Sequence, residues 1–301
     1  MAAVEYSVDQ RIARITLNRP ERGNGITRQL LRELGDCVER ADLDPNVHVM
    51  LLAGSGTGFC GGYDLVDSAE GAGAADAAEG DEQGSPLDPM VIGMNHNPDE
   101  TWDPMVDYAM MRRNVRTFMT LFDAGKPVIC KIHGFCVAGG TDMALCSDLV
   151  IAASDAKIGY PPARVWGSPT TSLWAHRVGV QRAKRLLLTG DSISGTEAAE
   201  WGLACEAPAP EELDERTEIL AARVARMPLN QLMMMKLLTN QTIEAQGLRQ
   251  TQVLGTVFDG ITRHTKEGYD FQMQALSGGF REAVRERDEP FGDHGLSTFK
   301  G

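Results

Sequence analysis

Apolar residues recur along the chain with two periods, and the changes of period mark its elements. Ala3–Val8 and Arg11–Leu17 are short β-prone runs, with a hairpin predicted at the intervening Asp9-Gln10. From Thr27 to Ala41 the spacing becomes helical, and Leu30, Leu31, Leu34, Val38 and Ala41 fall on one face. Val47–Ala53 is an unbroken apolar run, the mark of a buried strand. Strand, loop, helix, strand begins an α/β layered fold. Met105–Phe122 reads as a second long helix, its methionines as core. Pro127–His133 reads as another buried strand, and Leu149–Ala153 and Ala156–Tyr160 as short ones. Ser172–Val178, Gln181–Leu188 and Gly195–Trp201 are helical, and Leu203–Ala207 is the expected last strand. Pro208–Pro210 looks like a boundary. Beyond it Glu211–Arg226, Gln231–Ala245, Leu248–Thr262 and Gly268–Ala275 are all helical by pattern. The expected organisation is an α/β core over residues 1–207 and a helical region over 208–301.

Two glycine-rich turns interrupt this pattern. The first follows a strand and contains Gly56-x-Gly58-x-x-Gly61. It fits a dinucleotide-binding turn, or a loop that brings a backbone amide near Tyr63 into a ligand pocket. The second runs from Gly134 to Asp148, again after a strand. Small residues at Ala138, Gly139 and Gly140 let a backbone approach a ligand closely. The helical pattern resumes at Thr141, so free N–H groups are expected where a negative oxygen would sit. Asp142 lies about one helical turn past Gly139, within reach of a group held at that amide. Asp142 as a simple first-turn partner of the helix dipole is the alternative.

Composition narrows the function. The net charge is −13, but it is local: residues 41–111 hold no Lys or Arg and 14 Asp and Glu. The rest of the chain is near balance, so a nucleic-acid partner is not expected. Residues 67–88 are rich in Ala, Gly, Asp and Glu, and Met90–Asp107 is a long loop by pattern, so a mobile acidic insertion over about 67–104 is expected. Asp67, Asp103 and Asp107 are either lid carboxylates or solvated loop residues. No run approaches the ~20 apolar residues that span a bilayer, so no membrane partner is expected. The N-terminus lacks a signal pattern, which makes the cytoplasm the expected location. Cys37, Cys60, Cys130, Cys136, Cys146 and Cys205 form no C-x-x-C pair and read as small buried hydrophobes. No histidine spacing suggests a metal, and His133 at a strand end reads as structural.

Several ordered motifs resemble the crotonase (enoyl-CoA hydratase/isomerase) superfamily. Asn18-Arg-Pro-Glu-Arg-x-Asn is similar to its N-R-P-x-x-x-N loop, and Gly58-Phe-Cys-Gly-Gly-Tyr-Asp-Leu to its G-x-x-F-C-x-G-x-D-L motif. The block from Lys126 to Asp148 resembles its K-P-x-I-A…G-G-G-x-E-L-A…D stretch, and Leu186-Leu-Leu-Thr-Gly-Asp with Trp201-Gly-Leu its later run. The resemblance implies a spiral of ββα repeats with a helical C-terminal trimerisation region, as a homotrimer or a hexamer. It implies an acyl-CoA thioester ligand, with coenzyme A as part of the substrate and no other cofactor. It places two amides that hold the thioester oxygen on Tyr63 and Gly139, and the first catalytic carboxylate on Asp142. The second carboxylate of hydratases falls on Pro162 or Ala163, neither of which ionises. By position, Tyr160, Pro162, Ala163, Arg164 and Trp166 would shape the acyl pocket. Arg22, Cys60, Gly61 and Asp64 would touch the coenzyme, as would Arg281, Arg285 or Arg287 from a neighbouring subunit. With one carboxylate, hydration, double-bond isomerisation and thioester or C–C hydrolysis all stay open. So does a catalytically weak acyl-CoA binder, and the glycine motif leaves an NAD-dependent oxidoreductase as a further alternative.

Overall fold

The computed structural model describes residues 2–64 and 82–292. Strands β1 (Val4–Asp9) and β2 (Ile12–Leu17) form an antiparallel hairpin. Its turn sits at Gln10-Arg11, both at positive φ, the conformation that matches the twist of paired strands. Helix α1 (Arg28–Leu43) begins where the Thr27 hydroxyl accepts from the Leu30 N–H at 3.2 Å. It buries the predicted stripe of Leu30, Leu31, Leu34, Val38 and Ala41. Burial of each large side chain in that stripe is worth roughly 2 kcal/mol. The helix returns the chain to β3 (Val49–Gly54), parallel to β2.

Helices α2 (Pro89–Asn95) and α3 (Pro104–Asp123) lead on to β4 (Val128–Ile132). From β4 the chain turns into β5 (Phe135–Val137) and then α4 (Gly139–Ala144). The same step recurs as β6 (Leu149–Ala152), β7 (Lys157–Gly159) and α5 (Trp174–Thr189). β8 (Ser192–Ile193) and α6 (Gly195–Trp201) close the core. Each ββα step adds one strand to each of two sheets, ordered β1-β2-β3-β4-β6 and β5-β7-β8. The result is the α/β spiral that the motif resemblance implied. The main core packs α1, α3 and the sheets around Phe59, Phe118 and Trp174.

Four helices follow in the C-terminal region before a final short one: α7 (Leu213–Ala225), α8 (Leu229–Ala245), α9 (Leu248–Arg263), α10 (Lys266–Gly278) and α11 (Phe280–Asp288). Ala221 and Ala225 of α7 cover Ile12, Val49, Leu51 and Ile129 on the large sheet. The buried Lys236 ammonium of α8 donates to the carbonyls of Leu121 and Lys126 and pairs with Asp148 at 2.9 Å. Helix α9 is inverted relative to an ordinary amphipathic helix. Gln252, Gly255, Thr256, Asp259 and Gly260 face inward, whereas Val253, Leu254, Val257, Phe258 and Ile261 are exposed.

The structure departs from the pattern-based elements at three places within the described residues. Residues 65–81, with Asp67, lie outside the described residues. Within the expected 90–107 loop, α2 forms because Asp88 caps it and Pro89 fixes its first turn. Ser172–Val178 and Gln181–Leu188 join into α5 with a kink at Gly179. Leu203–Ala207 is no strand; a single bridge from Glu206 to Ile151 is all that pairs there.

Candidate active site

The two glycine-rich turns lie against each other. Ile26 N–H donates to Gly62 C=O, Val137 N–H to Cys60 C=O, and Ala138 N–H to Gly159 C=O. A Cβ on Gly62 would stand 2.7 Å from the Ala138 Cβ, and one on Gly140 would stand 2.5 Å from the Cys60 oxygen. The turns approach so closely only because these positions carry no side chain. Gly62 also sits at φ +99°. Ala138 adopts φ 56°, an unusual conformation for a residue with a Cβ. Among the described residues, the Tyr63 and Gly139 amides make no backbone hydrogen bond, and both residues line one cavity of about 1150 Å³.

Asp142 stands one turn past Gly139 but points away from that cavity. Its carboxylate accepts from the Thr171 N–H at 3.1 Å, the Thr171 hydroxyl at 2.8 Å and the Thr170 hydroxyl at 3.4 Å. The side chain is fully buried and does not line the cavity. Burial pushes its pKa from the ordinary 3.8 up to about 7, against the pull of the Thr171 bonds, and the Asp259 charge adds to the rise.

Two carboxylates line the cavity among the described residues: Asp288 at the end of α11, which pairs with Arg164 and Arg287, and Asp259 of α9, to which no motif pointed. Asp259 is 4% exposed, accepts from the Ser168 N–H at 3.2 Å and pairs with Arg263 at 2.6 Å. Burial raises its pKa, opposed chiefly by Arg263. Gly260 admits this part of α9 to α3: a Cβ there would sit 2.8 Å from the Asp107 Cβ. Tyr63 and Tyr160 border the same space, and burial holds both phenols well above their usual range. The Tyr63 hydroxyl is buried beside Asn114.

Other expected site residues divide. Tyr160, Pro162, Trp166 and Gly61 line the cavity; Ala163, Arg22, Cys60 and Asp64 do not. Arg22 and Asp64 pair with each other at 2.7 Å, Asp64 also meets Arg19, and the Cys60 thiol donates to Asn24 C=O. Arg164, expected at the acyl pocket, does not line the cavity. Its side chain is 2% exposed, donates to Thr189 C=O and pairs with Asp288 at 2.9 Å, pinning α11 instead of facing a ligand. Arg287 lines the cavity of its own chain, while Arg285 pairs with Glu282 and Glu289 at the surface.

Asp107 is neither a lid carboxylate nor solvated. It is 1% exposed, and its Oδ2 accepts from Asn95, Trp102 and His264, each at 2.9 Å. His96 meets its Oδ1 at 3.3 Å. Burial alone would raise this carboxyl; the His96 and Trp102 bonds and Arg263 more than offset that and hold it below its ordinary range. His96, Asp107 and His264 have ligand-type atoms within 4.8 Å of one another. Asn95 and Trp102 donors, which do not coordinate metals, already occupy Oδ2, so the cluster is a hydrogen-bonded hub tying α2, α3 and α9 together. Asp103 caps α3 through the Met105 N–H. The Gly56–Gly61 turn packs on Pro20 and Phe135 and opens no helix among the described residues, unlike a dinucleotide turn.

Two stacked sheets wound by ββα steps, with paired glycine turns at one cavity, define a crotonase fold. The sequence model of the enoyl-CoA hydratase/isomerase family matches residues 7–87 and 102–275, and the chain belongs to that enzyme family. It is 31% identical over 224 residues to the 1,2-epoxyphenylacetyl-CoA isomerase of Escherichia coli, covering 73% of this chain and 75% of that protein. It is 29% identical over 220 residues to the crotonyl-CoA hydratase of Syntrophomonas wolfei, covering 72% and 73%. A crystal structure of an enoyl-CoA hydratase from Mycobacterium smegmatis superimposes with a TM-score of 0.91 at 57% identity, covering 97% of this chain and 95% of that one.

Proposed function

We propose that the protein binds an acyl-CoA thioester and passes it through an enolate, adding water across, or moving, a carbon–carbon double bond. The observation that carries this reading is the pair of amides at Tyr63 and Gly139, which face one cavity with no backbone acceptor among the described residues. Two preorganised N–H donors stabilise negative charge on a thioester oxygen as it develops; loss of one such donor elsewhere costs roughly 10²–10³ in rate. Arg28, Arg32 and Arg113 on the cavity wall bring positive charge, which Glu82, paired with Arg28 and Arg113, offsets only in part, and this suits the coenzyme phosphates. The exposed apolar faces of α8 and α9, with Met234, Leu237, Leu238 and Phe258, support assembly as a trimer or a dimer of trimers.

A carboxylate must move the proton at the substrate α-carbon. Asp142 is the candidate by motif position, but its oxygens are held by Thr170 and Thr171 and it does not line the cavity. To touch substrate it must first leave Thr170 and Thr171. The test is incubation with crotonyl-CoA and a 3-enoyl-CoA in heavy water, followed by mass. Water addition indicates hydration, and deuterium uptake or double-bond migration without it indicates isomerisation. Absence of both, with either thioester, would overturn the reading.

A further inference from the structure

We infer that Asp259 is a catalytic carboxylate of this enzyme, the group that exchanges protons with an acyl-CoA held at the Tyr63 and Gly139 amides. The inference rests on the acyl-CoA reading above and supplies the carboxylate that Pro162 and Ala163 cannot. Three observations carry it. Asp259 faces the cavity in its resting conformation, whereas Asp142 does not, and Asp288, the other carboxylate on the cavity wall, is tied to the two guanidinium groups of Arg164 and Arg287. It is held by one bond to each oxygen, Ser168 N–H on Oδ1 and Arg263 on Oδ2, so the carboxylate is oriented by partners on two sides. It also sits on the buried face of a helix whose apolar residues point outward, an arrangement that core packing alone would reverse.

The chemistry closes with this one group. With a 2-enoyl thioester, water gives a proton to Asp259 as its oxygen bonds to the β-carbon. The double-bond electrons move toward the carbonyl, whose oxygen the two amides hold. Asp259 then returns the proton to the α-carbon as the carbonyl re-forms, so one water is added and the carboxylate is regenerated. With a 3-enoyl thioester it takes the proton from C2 and returns it to C4. Asp142 acts from behind as a positioning residue: its bonds to Thr170 and Thr171 fix the turn that runs from Ser168.

The experiment compares Asp259→Asn and Asp142→Asn with the wild type on whichever of crotonyl-CoA or a 3-enoyl-CoA the wild type turns over, across pH. Asparagine keeps the acceptor for Ser168. The expected result for Asp259→Asn is a loss in kcat of roughly 10²–10⁴ at every pH, with KM within about 3-fold. The charged and titratable groups facing Asp259 are Arg263, Asp107, Asp142, Tyr63 and Tyr160. If Asp259 only tuned Asp142, its removal would lower the Asp142 pKa and shift the profile to lower pH with the plateau intact; that result overturns the inference. Unchanged kcat does the same. Wild-type silence on both thioesters overturns the acyl-CoA reading itself, a distinguishable failure. If Asp259→Asn does not fold, Asp259→Glu carries the test: it keeps the charge and displaces the carboxylate, and a kcat equal to wild type refutes the role.

Discussion

Replacing Asp142 by Asn isolates the electrostatic cost of burying its charge. The native pKa is about 7, against an ordinary 3.8. A rise of about three pH units is worth about 4 kcal/mol at 1.36 kcal/mol per unit. The sign follows from linkage. Below pH 3.8 the carboxyl is protonated in both folded and unfolded states and costs nothing. Between 3.8 and about 7 the unfolded chain ionises while the folded one resists, so wild-type stability falls as pH rises. Above about 7 the full cost is present. Asparagine does not titrate, can accept the Thr171 bonds with its oxygen and can donate to Thr170. The stability of Asp142→Asn minus that of wild type should therefore grow by about 4 kcal/mol between pH 4 and pH 8. Urea denaturation of both proteins at four or five pH values, followed by circular dichroism, measures it. A difference that stays flat with pH would show that the folded carboxyl ionises as it does in water, and would refute its burial.

Two further outcomes follow from local geometry. Gly62→Ala should lose roughly 1–3 kcal/mol of stability and at least about 10² in kcat, because its Cβ would displace the 138–139 turn that carries the second amide; intact activity would remove the amide pair from the mechanism. Iodoacetamide at pH 8 should label Cys205 in the native protein and leave Cys60, whose thiol burial pushes up to about 12, untouched until denaturant is added; early labelling of Cys60, read by peptide mass, would contradict the packing of the first glycine turn.

Helix α1 was legible because nothing competes with its pattern: a Thr cap, a clean apolar stripe and a polar opposite face all agree. The glycine turns were legible because close backbone approach leaves few residue choices. Helix α9 was legible as a helix, but its orientation was not. A reader of periodicity turns Val253, Val257 and Ile261 inward, and the chain turns Asp259 and Gln252 inward instead. No local signal distinguishes these, because what faces inward is set by the 169–172 turn: Gln252 donates to Thr171 C=O, and Ser172 donates to Thr251 C=O. Asp107 was misread for the same reason. Its partners come from Asn95, Trp102 and His264, so an acidic stretch concealed one fully paired carboxylate. Arg164 looked like a pocket residue by its place after Tyr160, and only the fold brings Asp288 to it.

The inverted α9 separates two kinds of change that most helices confound. Positions 253, 254, 257, 258 and 261 meet solvent or another molecule, whereas 252, 255, 256 and 260 pack inside the chain and 259 lines the cavity. Redesign of the first set alters what the chain associates with and leaves the cavity wall alone. Redesign of the second alters how the helix seats and, through Asp259, the cavity wall, and leaves the outward face alone. One sixteen-residue segment thus offers an engineer two independent dials.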